Sequence, residues 1–195
     1  MLIAGLSDLL LIAALGFAFL HNVKNSQSLI ASTAIICTGA AAIMGFMRYL
    51  ELADTQSLHQ FLSFISKHFA MSAFLTGLLW QRFSQKITPY FILIITAISC
   101  ILNTMNSIGV LSDAIIVSLC LYLIYKVRIR RSALIQGVLA LLILTSTLIW
   151  GLVIEDQSLL LGVFHLCLAC FFILIVLASG ALVPQASAAK TTIGT

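Results

Sequence analysis

Long apolar runs constrain this chain more than any other feature of its sequence. A helix needs about 20 apolar residues to cross the hydrocarbon core of a bilayer. Runs of this kind recur from end to end, and short polar segments such as HNVKNSQS and KVRIRRS separate them. Charged residues make up 8% of the chain, whereas a soluble domain carries roughly 25%. Lipid must therefore surround most of the surface, and the sequence predicts an all-α, polytopic membrane protein.

The apolar runs predict a single bundle of seven transmembrane helices. A short break at Asn106, Ser107 and Gly109 divides two runs that together are too long for one crossing. The small, polar residues 184–195 are predicted to form a disordered cytoplasmic tail. The predicted spans cover about residues 2–20, 29–50, 61–80, 90–108, 111–126, 133–153 and 158–183.

Charged residues segregate between alternate loops, and this predicts the orientation of the bundle. Lys and Arg concentrate on the side that contains Lys24, residues 126–131 and Lys190, and the positive-inside rule makes that side cytoplasmic. All six Asp and Glu residues fall toward the other side. The N-terminus is predicted to lie outside and the C-terminus inside, in the cell (inner) membrane. The net charge of +4 sits in short loops beside the spans, so it predicts contact with the lipid bilayer and not with nucleic acid.

Polar side chains within the spans are predicted to form a layer below the outer surface. At 1.5 Å per residue, Asp8, His68 and His165 each lie about 10 Å below the outer ends of their helices. His21 and His59 are interpreted as solvated loop residues. The residues assigned to this layer, or just above it, are Asp8, Arg48, Glu51, Lys67, His68, Asn103 and His165.

Such a layer has three interpretations, and no spacing in the sequence decides among them. It can hold the helices together through hydrogen bonds. It can be a hydrolytic zinc site, with His68 and His165 as metal ligands and Glu51 or Asp8 as the base. It can also line a cavity in which the same groups meet a lipid, a small polar ligand or a proton.

Three segments carry a resemblance to a known family: GFMRYLE at the end of the second run, ISKHFAMSAF in the third and GVFHLCLA in the seventh. The layout resembles the CREST superfamily of seven-helix membrane hydrolases, which includes alkaline ceramidases and the progestin and adiponectin receptors. The resemblance implies a zinc site that acts on a lipid amide or ester. His165 matches a ligand position directly. The other ligand positions fall on Met47 or Arg48, on or beside His68, and on Leu161.

The sequence favours a non-enzymatic role in sensing, binding or assembly through the polar layer. The first alternative is a divergent, metal-dependent membrane lipid hydrolase, and the second is a small transporter. The chain contains no P-loop, Rossmann fingerprint, G-x-S-x-G or H-E-x-x-H motif. It therefore offers no nucleotide-binding or common hydrolase signature.

Overall fold

The computed structural model describes residues 2–25, 28–50, 56–80 and 108–182, and all regular structure in these ranges is helical. The prediction of an all-α protein is confirmed for these residues. The predicted tail and residues 90–107 of the predicted fourth span lie outside them. The elements are α1 (Leu2–Asn25), α2 (Leu29–Tyr49), α3 (Gln56–Ile65), a π-helical turn (Ser66–Ala70), α4 (Met71–Leu79), α5 (Ile108–Val127), α6 (Arg131–Val153), α7 (Gln157–Ser179) and a 3₁₀ turn (Gly180–Leu182).

Within the described ranges, five helical segments are long and apolar enough to cross a membrane. α3, the π-helical turn and α4 run on as one of these segments, which begins at Gln56 and not near residue 61. α5 is a further long helix of 20 residues. These are the helices that a membrane-embedded protein requires. The five segments are Gly5–Asn25, Leu29–Tyr49, Gln56–Leu79, Arg131–Val153 and Gln157–Leu182.

Polar residues stabilise the turns between neighbouring helices. Ser28 caps α2 by accepting a hydrogen bond from the backbone N–H of Ala31. The buried Asn22 side chain donates to the Ser28 carbonyl at 2.9 Å and to the Ser32 hydroxyl at 2.8 Å, so it ties α1 to α2. Asp156 caps α7 and accepts from the first free backbone N–H groups. These caps satisfy groups that a helix end leaves without partners.

Contacts between helices show the direction in which each one runs. α1 and α2 are antiparallel, because Gly5 lies against Tyr49 at one end and Asn22 bonds Ser28 at the other. The Gly5–Tyr49 end is the first end of the bundle, and the Asn22–Ser28 end is the second. α1 and α7 are parallel, because Asp8 contacts His165 at the first end. His21 of α1 lies beside Gly180 at the second end, just beyond α7.

Close packing between helices occurs toward the second end of the bundle. Gly77 of α4 comes so close to α2 that a Cβ atom there would lie 2.6 Å from the backbone nitrogen of Ala31. Phe74 and Phe172 are fully buried, with ring centroids 4.9 Å apart. Small residues at helix contacts let two backbones approach each other closely, which strengthens packing where lipid supplies no hydrophobic force.

Candidate functional site

A cavity of about 490 Å³ lies among the described helices, at the end where α1 and α7 begin. Its volume falls in the range of sites that bind one small molecule. Every described helix contributes to its wall, and about half of the lining side chains are polar. The polar ones are Asp8, Thr38, His59, Ser63, Ser66, Lys67, Asp113, Thr145, Thr147 and His165.

Asp8 and His165 form the centre of this site. The Oδ1 atom of Asp8 lies 2.7 Å from Nδ1 of His165, which makes an ion pair when the imidazole is protonated. The two groups are close, but they are not aligned as a hydrogen bond. Asp8 is completely buried and His165 is 12% exposed. A carboxylate in this environment requires a nearby positive charge or a proton, because burial disfavours its charged form.

The second carboxylate oxygen of Asp8 points toward α2 and α3. A Cβ atom on Gly45 would lie 2.9 Å from Oδ2 of Asp8 and 3.0 Å from Cε1 of His59. Glycine at position 45 therefore leaves the space in which Asp8 and His59 approach each other. Oδ2 is buried and accepts no hydrogen bond from the described residues. It is an acceptor without a protein donor at the edge of a cavity.

His59 belongs to this site, and its interpretation as a solvated loop residue is wrong. It lies in α3, half-buried, and its Nδ1 is 3.1 Å from the Ala41 carbonyl oxygen. Because a carbonyl oxygen only accepts, Nδ1 must carry the hydrogen in this contact. A signal was available in the sequence, since His59, Ser63 and Lys67 follow one another at intervals of four residues and so share a helix face.

The π-helical turn brings two polar residues to the wall of the cavity. Ser66 donates a hydrogen bond to the Thr38 hydroxyl at 3.2 Å, which joins the turn to α2. Lys67 follows and also lines the cavity. A π-helical turn inside an α-helix is rare and often occurs at functional sites.

Asp113 of α5 lines the same cavity as Lys67. Asp113 is not among the residues that the sequence predicted for the polar layer. Both side chains are exposed, and neither forms an ion pair with any residue that the structure describes. The cavity wall thus carries one cation and one carboxylate that do not neutralise each other.

On four parallel segments, the wall has an ionisable residue and an apolar residue one helical turn deeper, and α7 also contributes the apolar Leu161 and Phe164 nearer its start. An advance of three or four residues moves about one turn along a helix and stays on the same face. In each case the residue nearer the end of the bundle is ionisable, and the residue one turn deeper is apolar. The four pairs are Asp8 with Leu11, Lys67 with Met71, Asp113 with Ile116, and His165 with Leu168.

The remaining predicted site residues are not on this wall. His68 packs on the ring of Phe64, with centroids 4.6 Å apart, and its Nδ1 is buried without a hydrogen-bond partner in the described chain. Arg48 lies over the ring of its neighbour Tyr49. Glu51 and Asn103 lie outside the described residues. The structure therefore places Asp8, Lys67 and His165 on one cavity wall, whereas His68 and Arg48 do not line it.

The predicted zinc site stays a prediction. Among the described residues, no three His, Cys, Asp or Glu side chains are close enough to hold a metal ion. His165 lines the cavity, whereas His68 does not. A catalytic zinc normally has three protein ligands, so His165 and Asp8 alone are insufficient.

The fold and the cavity define a class: a helical, membrane-embedded protein with an interior cavity that both polar and apolar side chains line. Comparisons with protein-family models, curated proteins and solved structures found no match to this chain. The resemblance to the CREST superfamily remains a prediction from the sequence alone.

Proposed function

We propose that this chain is a seven-span protein of the cell (inner) membrane that binds a small amphipathic ligand in its cavity. The role is sensing or binding rather than catalysis. The observation that carries the proposal is that four helical segments each line the cavity with an ionisable residue and an apolar residue one turn deeper. An amphipathic molecule would place its polar group beside Asp8 and His165 and its apolar part beside Leu11 and Leu168. Both parts would then meet a wall of matching polarity.

The directions of α4 and α5 support a seventh crossing. Asp113, near the start of α5, lines the cavity together with Lys67. Tyr122 lies further along α5, toward its end. Its ring stacks on Trp80 at the end of the third segment, with ring centroids 5.9 Å apart. The two segments therefore run parallel, which supports a further crossing between Trp80 and Ile108. A backbone that crosses lipid alone is helical, which agrees with the predicted span at residues 90–108.

The charges at the two ends support an orientation with the cavity toward the outside. Lys24 and Lys126 lie in the last turns of α1 and α5, at the end away from the cavity. Arg128 and Arg130 follow in the turn after α5. The positive-inside rule assigns that end to the cytoplasm. The cavity then lies near the outer leaflet.

Reporter fusions test the number of crossings and the orientation together. We expect alkaline phosphatase to be active when fused after Leu50, Gly109 or Asp156, and inactive when fused after Asn25, Trp80 or Arg128. The enzyme is active only outside the cytoplasm, so each junction reports its side. Equal activity after Trp80 and after Gly109 would rule out a crossing between them and leave six spans.

Ligand binding is tested by filling the apolar part of the cavity. Val117 lines the cavity, whereas Ile115 on the same helix is 44% exposed and faces away from it. Native mass spectrometry of the detergent-purified protein would measure binding of monomyristoylglycerol and of myristoyl lysophosphatidylethanolamine. We expect Val117→Trp to abolish binding of at least one probe, and Ile115→Trp to leave it unchanged. Unchanged binding of both probes in Val117→Trp would refute the proposed cavity ligand.

A further inference from the structure

Lys67 and Asp113 are opposite charges that line one cavity without pairing. Lys67 lies on the π-helical turn and Asp113 on the first turns of α5, and the described chain offers neither of them an ion pair. A charged group at membrane depth is costly unless another charge or water balances it. Both side chains are exposed, so each is available to a charged group that enters the cavity.

We propose that the ligand of this cavity is a single-chain amphiphile with a zwitterionic head group. Its anionic group binds Lys67, and its amine binds Asp113. This inference rests on the proposed function and adds the class of ligand to it. A purely anionic amphiphile would leave Asp113 without a counter-charge, and a purely cationic one would leave Lys67 without one. One zwitterion neutralises both.

The surroundings of Lys67 suit an anionic group that accepts several hydrogen bonds. Ser63 lies one turn before Lys67 on the same wall, and its hydroxyl makes no hydrogen bond within the described chain. An ammonium group and a hydroxyl on one helix face can donate to different oxygens of a phosphate or carboxylate. Ser66 is already engaged with Thr38, so Ser63 and Lys67 are the available donors.

The exposed Asp113 carboxylate supplies the acceptor for the amine end of the head group. A primary ammonium carries three donor hydrogens and can donate to both carboxylate oxygens. The head group is therefore expected to carry a primary amine and not a fully methylated one, which has no N–H to donate.

The volume and the depth of the apolar wall favour one acyl chain. The cavity of about 490 Å³ is the size of a drug-like ligand site. Leu11, Met71, Ile116 and Leu168 form the apolar part directly beneath the polar one. A single chain extends into this part, whereas a two-chain phospholipid requires more space than the cavity provides.

Probes that share one myristoyl chain and differ in head group test the inference. The set is lysophosphatidylethanolamine (zwitterionic), lysophosphatidic acid (anionic) and monomyristoylglycerol (uncharged), titrated against the full chain by native mass spectrometry. We expect the zwitterion to bind at least about tenfold more tightly than the other two, which corresponds to about 1.4 kcal/mol. Glycerophosphoethanolamine, which has the head group but no chain, should bind more weakly because the apolar wall stays empty. Equally tight binding of this soluble molecule would overturn the assignment of an amphiphile.

Two variants test whether Lys67 and Asp113 bind the charged groups of the head group, and a third variant serves as a control. Lys67→Met and Asp113→Asn should each weaken binding of the zwitterion about tenfold and leave monomyristoylglycerol unchanged, which also shows that the variants are folded. Lys24→Met removes a lysine at the opposite end of the bundle and should change the binding of neither probe.

If the wild-type protein binds the uncharged probe as tightly as the zwitterion, the head-group inference is wrong while the proposed function stands. If Val117→Trp alters binding of no probe, the proposed function itself fails.

Discussion

The Nδ1 atom of His165 in α7 lies 2.7 Å from the Oδ1 atom of Asp8 in α1. This contact joins the first and the last long helices of the described chain at the end where the cavity opens among them. Because Asp8 is completely buried, the contact contributes both to the packing of the two helices and to the polarity of the cavity. It is therefore the first target for mutation.

Removal of the His165 imidazole should destabilise the protein strongly. In His165→Ala the buried Asp8 carboxylate loses its partner, which costs about 3 kcal/mol in comparable buried pairs. The free energy of unfolding in mixed detergent micelles measures this loss. In a double-mutant cycle with Asp8→Asn, we expect the combined loss to fall short of the sum by about 1 kcal/mol or more.

His21→Ala is the matched control for that cycle. His21 is also a half-buried histidine in a long helix, but it lies at the opposite end of the bundle beside Gly180. It should show no coupling to Asp8→Asn. Strictly additive losses for Asp8→Asn and His165→Ala would mean that the two side chains do not interact in the folded protein.

Gly45→Ala should disturb the cavity, although it adds only one methyl group. That methyl would lie 2.9 Å from a carboxylate oxygen of Asp8 and 3.0 Å from the His59 ring, so at least one of them must move. Overpacking of this kind costs about 1–3 kcal/mol. Thermal unfolding of the purified protein, together with binding of the lipid probes, measures the effect.

Gly39→Ala tests whether the effect of Gly45→Ala arises from steric crowding. Gly39 lies in the same helix, and a Cβ atom there would have no neighbour within 4 Å. Alanine favours a helix over glycine by about 0.5–1 kcal/mol, so this variant should be as stable as the wild type or slightly more stable. A loss at position 39 as large as that at position 45 would contradict the tight contact among Gly45, Asp8 and His59.

Gly77→Ala should reduce stability more than Gly45→Ala. Its methyl group would lie 2.6 Å from the backbone nitrogen of Ala31, and backbone cannot rotate away as a side chain can. The required separation of α2 and α4 should lower the melting temperature, with a loss above about 2 kcal/mol. Gly16→Ala, where nothing lies within 4 Å, is the control and should melt no lower than the wild type. Equal melting temperatures for both variants would show that α4 does not pack on α2 as described.

Metal analysis of the purified protein tests the zinc prediction. His165 and Asp8 meet, but the described chain gives them no third ligand, so we expect less than stoichiometric zinc. The melting temperature should not change when the protein is dialysed against a chelator. One zinc ion per chain that disappears in His165→Ala would instead support the hydrolase that the CREST resemblance implies.

Several features of the site followed from local sequence, and others did not. Asp8, His68 and His165 were predicted to lie at a common depth, because each occupies a known number of residues from the end of an apolar run. Asp8 and His165 do line one cavity, together with Lys67, whereas His68 does not. His59 was misassigned, because the third helical segment begins at Gln56 and not near residue 61. The polar residues around position 59 suggested a loop. The contact that orders this histidine is made with Ala41, which lies in another helix.

The sequence by itself determined the solvent and the secondary structure. Apolar runs of about 20 residues with few charges dissolve in lipid, and lipid requires a backbone that satisfies its own hydrogen bonds as a helix. Only the tertiary structure decided which polar groups meet: Asp8 with His165, and Lys67 on the same wall as Asp113. Depth along a helix depends on residue number alone, whereas the face that a residue turns to its neighbours depends on how all the helices pack and rotate together.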